Sequence, residues 1–263
     1  MTNQARAVAE AALRTRKLDR TLTTAMPEAG RVDAAATGIA ALDSRIGGGL
    51  PRGQLSELVG PHSSGRTAVL LQVLSAATRR GEIAALVDTF DRLDVSSAAS
   101  AGVALDRLLW IRGQAISGAL LDRTVERALK ALNLVLQAGG FGVVAIDLAD
   151  APPAAVRRIP FTTWLRLQRV IEGSDIVCVL AAGQPLARSA GGLTLSLAGG
   201  SQWTPGTRLL TGLDIIARLV SSRRQVTGEI TVAALSPEHE PLRRRGTEND
   251  IHDVSVSRCL GGV

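Results

Sequence analysis

Eight residues, Gly60-Pro-His-Ser-Ser-Gly-Arg-Thr67, constrain this chain more than any other stretch. They read as a phosphate-binding loop of the form G-x-x-x-x-G-K-[ST], with Arg66 in the place of the lysine. An apolar run, Leu55 to Val59, precedes the loop, and a helical pattern from about Thr67 to Arg80 follows it. That strand–loop–helix order is the setting in which the motif has physical meaning. Backbone N–H groups at a helix start can be aimed at phosphate oxygens, and Gly60 and Gly65 allow the turns. Ser63, Ser64 and Thr67 complete the candidate nucleotide site, with the Thr67 hydroxyl placed for Mg²⁺. Arginine keeps the charge of the missing lysine but not its compact shape.

The rest of the chain alternates in the same manner. Strands are expected at 83–88, 108–111, 142–147 and 175–181, with helices over 121–137 and 161–172. The helix over 121–137 carries apolar residues at Leu121, Val125, Leu129, Leu132 and Leu136, the spacing of one buried face. The run Gly142-Val-Val-Ala-Ile-Asp147 is apolar throughout, as in a parallel strand covered on both faces. Its terminal Asp147 reads as the carboxylate that would hold magnesium through water. Repeated β-then-α order implies an α/β fold, a mostly parallel sheet flanked by helices, with ligands at the carboxyl ends of the strands. Residues 183–208 dissolve into Gly, Ser, Pro and Thr and are expected to be structureless. Residues 213–220 and 227–234 then form a C-terminal antiparallel hairpin.

Three segments follow from this: an N-terminal helical arm and linker over 1–34, a core over 35–236, and a tail over 237–263 that is partly strand or disordered. The arm reads as a helix over 4–20 with a thin apolar face, either a docking element or a frayed terminus. With 46% hydrophobic residues, no tyrosine and 2% aromatics, the core must be aliphatic, and a base-stacking platform is unsupported. The net charge of +6 favours acidic partners, DNA among them, although arginine-rich composition alone also produces it. Arg223, Arg224, Arg243, Arg244 and Arg245 cluster as DNA or partner contacts, or as a solvated turn and tail. Cys178 and Cys259 lack metal or disulfide spacing, and the three histidines are scattered, so no metal site is expected from protein ligands. No signal peptide or membrane span is apparent, which places the chain in the cytoplasm by default.

The run from Thr37-Gly-Ile-Ala-Ala-Leu-Asp43 through Gly47-Gly-Gly-Leu-Pro-Arg-Gly53 to Glu57–Thr67 resembles the RecA recombinase family in residues and spacing. The similarity continues through Val87-Asp88, Leu93-Asp94, Gly102-Val103 and Leu108-Leu109, more loosely after the midpoint. The resemblance implies a RecA-like core over 35–236 and an ATP and Mg²⁺ site at the loop. It also implies a catalytic glutamate two residues beyond Asp88, where this chain has Phe90, and a hydroxyl residue after Asp147, where it has Leu148. Gln184 lies near the family's nucleotide-sensing glutamine. A phenyl ring can neither accept a proton nor orient water. These departures are similar to those of the ImuA family, RecA-like accessory proteins of damage-inducible (SOS) mutagenesis. That resemblance implies a non-catalytic role needing no cofactor. Its partners would be RecA and a translesion polymerase complex, an ImuB-type Y-family homologue with an error-prone replicative polymerase. A DNA-binding accessory factor and a weak RecA-type DNA-dependent ATPase are the alternatives.

Overall fold

The computed structural model describes residues 33–114, 121–187, 192–203, 210–221 and 229–235. A two-residue strand β1 (Ala34–Ala35), a short helix α1 (Ala40–Ile46) and β2 (Leu50–Pro51) lead in, with β1 and β2 paired antiparallel. The Asp43 carboxylate fixes this entry by accepting from the Thr37 N–H and hydroxyl, both at 2.8 Å. There follow β3 (Gln54–Val59), α2 (Arg66–Arg79), β4 (Ala84–Asp88), α3 (Val95–Ser100) and β5 (Leu108–Arg112). Next come α4 (Leu121–Ala138), β6 (Val143–Leu148), α5 (Pro153–Arg157), α6 (Phe161–Ile171) and β7 (Val177–Ala182). Three strands close the series: β8 (Thr194–Trp203), β9 (Leu210–Ser221) and β10 (Glu229–Leu235).

One eight-stranded sheet runs in the order β10-β9-β8-β3-β7-β6-β4-β5. The six strands from β8 to β5 are parallel, and β9 and β10 are added antiparallel. The parallel strands are apolar on both faces because helices cover both. Along β6, Val143 and Ala145 point into one core with Leu58, Leu74, Leu86 and Val179. Val144, Ile146 and Leu148 point into the other with Leu132, Trp164, Leu167 and Leu180. The first face is roofed by α1, α2 and α3, the second by α4 and α6. Cys178 is fully buried in the second core, and burial pushes its thiol up to about 12, so it packs as a small hydrophobe.

The expected α/β sheet and the C-terminal hairpin are both present. β9 and β10 pair in register from Glu229 opposite Arg218 to Leu235 opposite Gly212. The stretch 183–208 needs correction. It contains β8, a strand of ten residues, parallel to β3 and antiparallel to β9. Gly199, Gly200 and Ser201 weaken the strand signal, but pairing on both sides supplies the backbone hydrogen bonds that propensity does not. The arm over 4–20, Arg223 and Arg224, Arg243, Arg244 and Arg245, and the tail lie outside the described residues. Among the described residues no helix is long and apolar enough to cross a membrane.

Candidate functional site

The loop leaves β3 after Val59 and enters α2 at Arg66, at the carboxyl ends of the parallel strands. Its backbone has the alternation that a phosphate cradle requires. Ser63 has φ 60° and Gly65 has φ 86°, both left-handed. A serine in that region is uncommon and carries strain. Successive N–H groups in such a sequence of conformations converge on one point, a nest for an anion. Gly65 is also the N-cap of α2, and no side chain caps the helix start. Those N–H groups therefore remain available to an acceptor.

Strands β8 and β9 pack closely against this loop. A β-carbon at Gly60 would collide with the carbonyl oxygen of Leu197 in β8. One at Gly199 would collide with the carbonyl oxygen of Ser63, and one at Gly65 with the Ile215 side chain of β9. So β8, in the region that reads as structureless from sequence, and β9 of the hairpin support the loop from beneath.

Arg66 does not project to solvent. It is 7% exposed, and its Nη1 has no hydrogen-bond partner. Burial lowers its pKa, opposed by the fields of Asp147 and Asp150. A β-carbon at Gly183 would stand 3.9 Å from Nη1, which places the guanidinium over the ends of β6 and β7. Ser64 is 2% exposed and its hydroxyl is likewise unpartnered. Thr67 and His62 are exposed.

Asp147 stands two strands away from the loop, across β7. Its Oδ1 accepts from the Ala149 N–H at 2.8 Å. Burial pushes its carboxyl up to about 6, helped by Asp88 and Asp150 and opposed by Arg66. The structure thus brings Gly60, Ser63, Ser64, Gly65, Arg66, Thr67 and Asp147 to one end of the sheet. The loop's shape and the unpartnered Arg66 Nη1 fit a polyphosphate. The surroundings of Asp147 fit a divalent cation poorly, because burial favours its neutral form and the field of the Arg66 guanidinium reaches it. No group of three or more His, Cys, Asp or Glu side chains placed to hold a metal occurs among the described residues.

Phe90 is 6% exposed and lies in the core beneath α4, with Val87, Val125 and Leu132. Leu148 is 1% exposed in the same core. Asp88, two residues earlier, is fully engaged. Its Oδ1 accepts from the Arg92 N–H at 2.8 Å, and its Oδ2 accepts from the Leu93 N–H at 2.8 Å and the Trp110 indole at 3.1 Å. Asp91, with φ 58°, pairs with Arg112 at 2.8 Å, and Arg112 stacks over Trp110. The segment after β4 is therefore a braced turn.

Sequence reasoning underrated Glu57. It has no exposed surface, and Oε1 accepts from the N–H groups of Leu186 and Ala187 at 2.7 and 2.9 Å. Oε2 accepts from the Thr194 hydroxyl at 3.0 Å. A carboxylate in a strand beside Leu55, Leu58 and Val59 was the available signal, since buried carboxylates need partners. A groove of about 950 Å³ lies elsewhere, on the outer face of α4 and α6. On its rim Glu126 pairs with Lys130 at 2.8 Å and Asp122 with Arg158, while Arg166 donates to the Thr162 carbonyl oxygen.

Comparison with known proteins agrees with this geometry. The chain is 40% identical over 121 residues to Protein RecA of Methylococcus capsulatus, covering 46% of this chain and 32% of that one. It is 38% identical over 121 residues to Protein RecA of Nostoc punctiforme, covering 46% and 31%, and 40% identical over 116 residues to Protein RecA of an Arthrobacter species, covering 44% and 30%. The chain spans about a third of the length of the curated relatives it matches. The profile of the RecA N-terminal domain matches residues 20–156, just over half of the chain. With the loop, the parallel sheet and Asp147 placed as described, the chain belongs to the RecA N-terminal domain family.

Proposed function

We propose that this chain is a non-catalytic RecA-like accessory protein of damage-inducible mutagenesis, of the ImuA type. It acts through contacts with RecA, with translesion polymerase components, or with both, and damps RecA-mediated recombination. The observation that carries this reading is the burial of Phe90. The position at which the family resemblance expects the water-activating glutamate holds a phenyl ring packed into the core beneath α4. With Asp88 engaged by three donors, neither residue is disposed to orient water. Arg66 in place of the loop lysine supports the same reading. A protein that keeps the RecA-like sheet without the hydrolytic groups retains surfaces able to meet a RecA filament.

The test pairs two measurements on the full chain. Phosphate release from ATP is expected to stay at background with and without single-stranded DNA. Immobilised RecA or the polymerase components are expected to retain the protein. Turnover that collapses on Asp147→Ala would restore the ATPase reading. Absence of binding to RecA and to every polymerase component would sink the accessory reading.

A further inference from the structure

The arginine at the loop has a geometry that a lysine would not produce. Arg66 is 7% exposed, its Nη1 is unpartnered, and it lies in the fields of Asp147 and Asp150. Among the described residues it forms no ion pair with either. A guanidinium keeps its proton throughout the accessible pH range. A divalent cation brought to the Asp147 carboxylate would therefore stand beside a fixed positive charge in a poorly screened setting. An unpartnered buried donor, in turn, is costly until an acceptor reaches it. The acceptor that fits is an anionic oxygen delivered from the nest at Ser63 and Gly65.

We propose that the loop binds a polyphosphate anion without a divalent cation, with the Arg66 guanidinium in the place the cation would otherwise take. The chemistry required of the ligand is a pyrophosphate group, free or carried by a nucleoside. The proposal stands apart from the accessory reading, since a protein that contacts RecA can do so with the loop filled or bare.

Isothermal titration of the full chain with ADP and with inorganic pyrophosphate, each in EDTA and in millimolar Mg²⁺, tests it. Binding in EDTA is expected within threefold of that in Mg²⁺. Arg66→Lys is expected to lose at least tenfold in EDTA and to recover in Mg²⁺. Arg66→Ala is expected to lose at least tenfold in both. Tighter binding of ADP than of pyrophosphate would assign the nucleoside as carrier, and equal binding the inorganic ion; either supports the site. Binding that requires Mg²⁺ in the parent chain, or no binding in any condition, overturns it. The EDTA and Mg²⁺ comparison uses the unmodified protein, so the outcome does not depend on either variant folding.

Discussion

Glu57 sits inside β3 with no exposed surface, yet its hydrogen bonds run outward, two to Leu186 and Ala187 between β7 and β8 and one to Thr194 at the start of β8. Glu57→Ala would leave the buried Ala187 N–H and Thr194 hydroxyl without their acceptor, a loss of roughly 2–4 kcal/mol, read as a lower denaturant midpoint. Phe90 supplies a second case. Installing the family glutamate by Phe90→Glu places a carboxylate in the core beneath α4 and removes a ring. The variant is expected to lose about 3 kcal/mol or more and to gain no ATP turnover, checked by thermal melting and phosphate release. Asp147 gives a pH signature. An unfolded aspartate titrates near 3.9, and this one is raised to about 6, so the folded state holds the proton more tightly between those values. The associated stability is present below about pH 4 and is lost as pH rises through about 6. Asp147→Asn is therefore expected to stabilise the fold relative to the parent more at neutral pH than at about pH 4, by a differential of roughly 3 kcal/mol read from denaturant midpoints at the two pH values. The loop residues and Asp147 were legible in sequence because a phosphate cradle needs fixed residue types at fixed spacing. Glu57 was not, because its partners lie more than a hundred residues away.

At the scale of elements, the legible parts are those whose own residues settle the matter. Val143 to Ile146 is apolar on both faces and can only be a covered strand, and α4 repeats its apolar face down its whole length. Asp94 opens α3 by accepting from the Ser97 N–H at 2.8 Å, a local cap readable from four residues. β8 is different. Its glycines read as loop, and it becomes a strand because β3 and β9 flank it. One of those glycines, Gly199, is required where the strand passes the carbonyl of Ser63. Gly199→Val is accordingly expected to displace β8 from the loop and lower Tm by several degrees. Gly200→Val, with nothing within 4 Å of its β-carbon position, is expected to be far milder. Parallel melts of the two variants check this contrast.

For the molecule as a whole, β8 and β9 belong to the core. Leu195, Leu197, Ile215 and Ala217 share one buried cluster with Leu58 of β3 and Leu74 of α2. A chain ending at Ala187 would expose that cluster and leave β3 as an open edge, so it is expected to aggregate or to lack a cooperative melt by circular dichroism. The same contacts bear on ancestry. Gly60 and Gly65 cannot carry side chains because Leu197 and Ile215 stand against them, whatever the loop holds. Selection for folding alone would therefore keep both glycines through any number of generations in a lineage that had given up its ligand. The signature such a loop leaves in a genome is a record of the two strands seated behind it as much as of any phosphate in front.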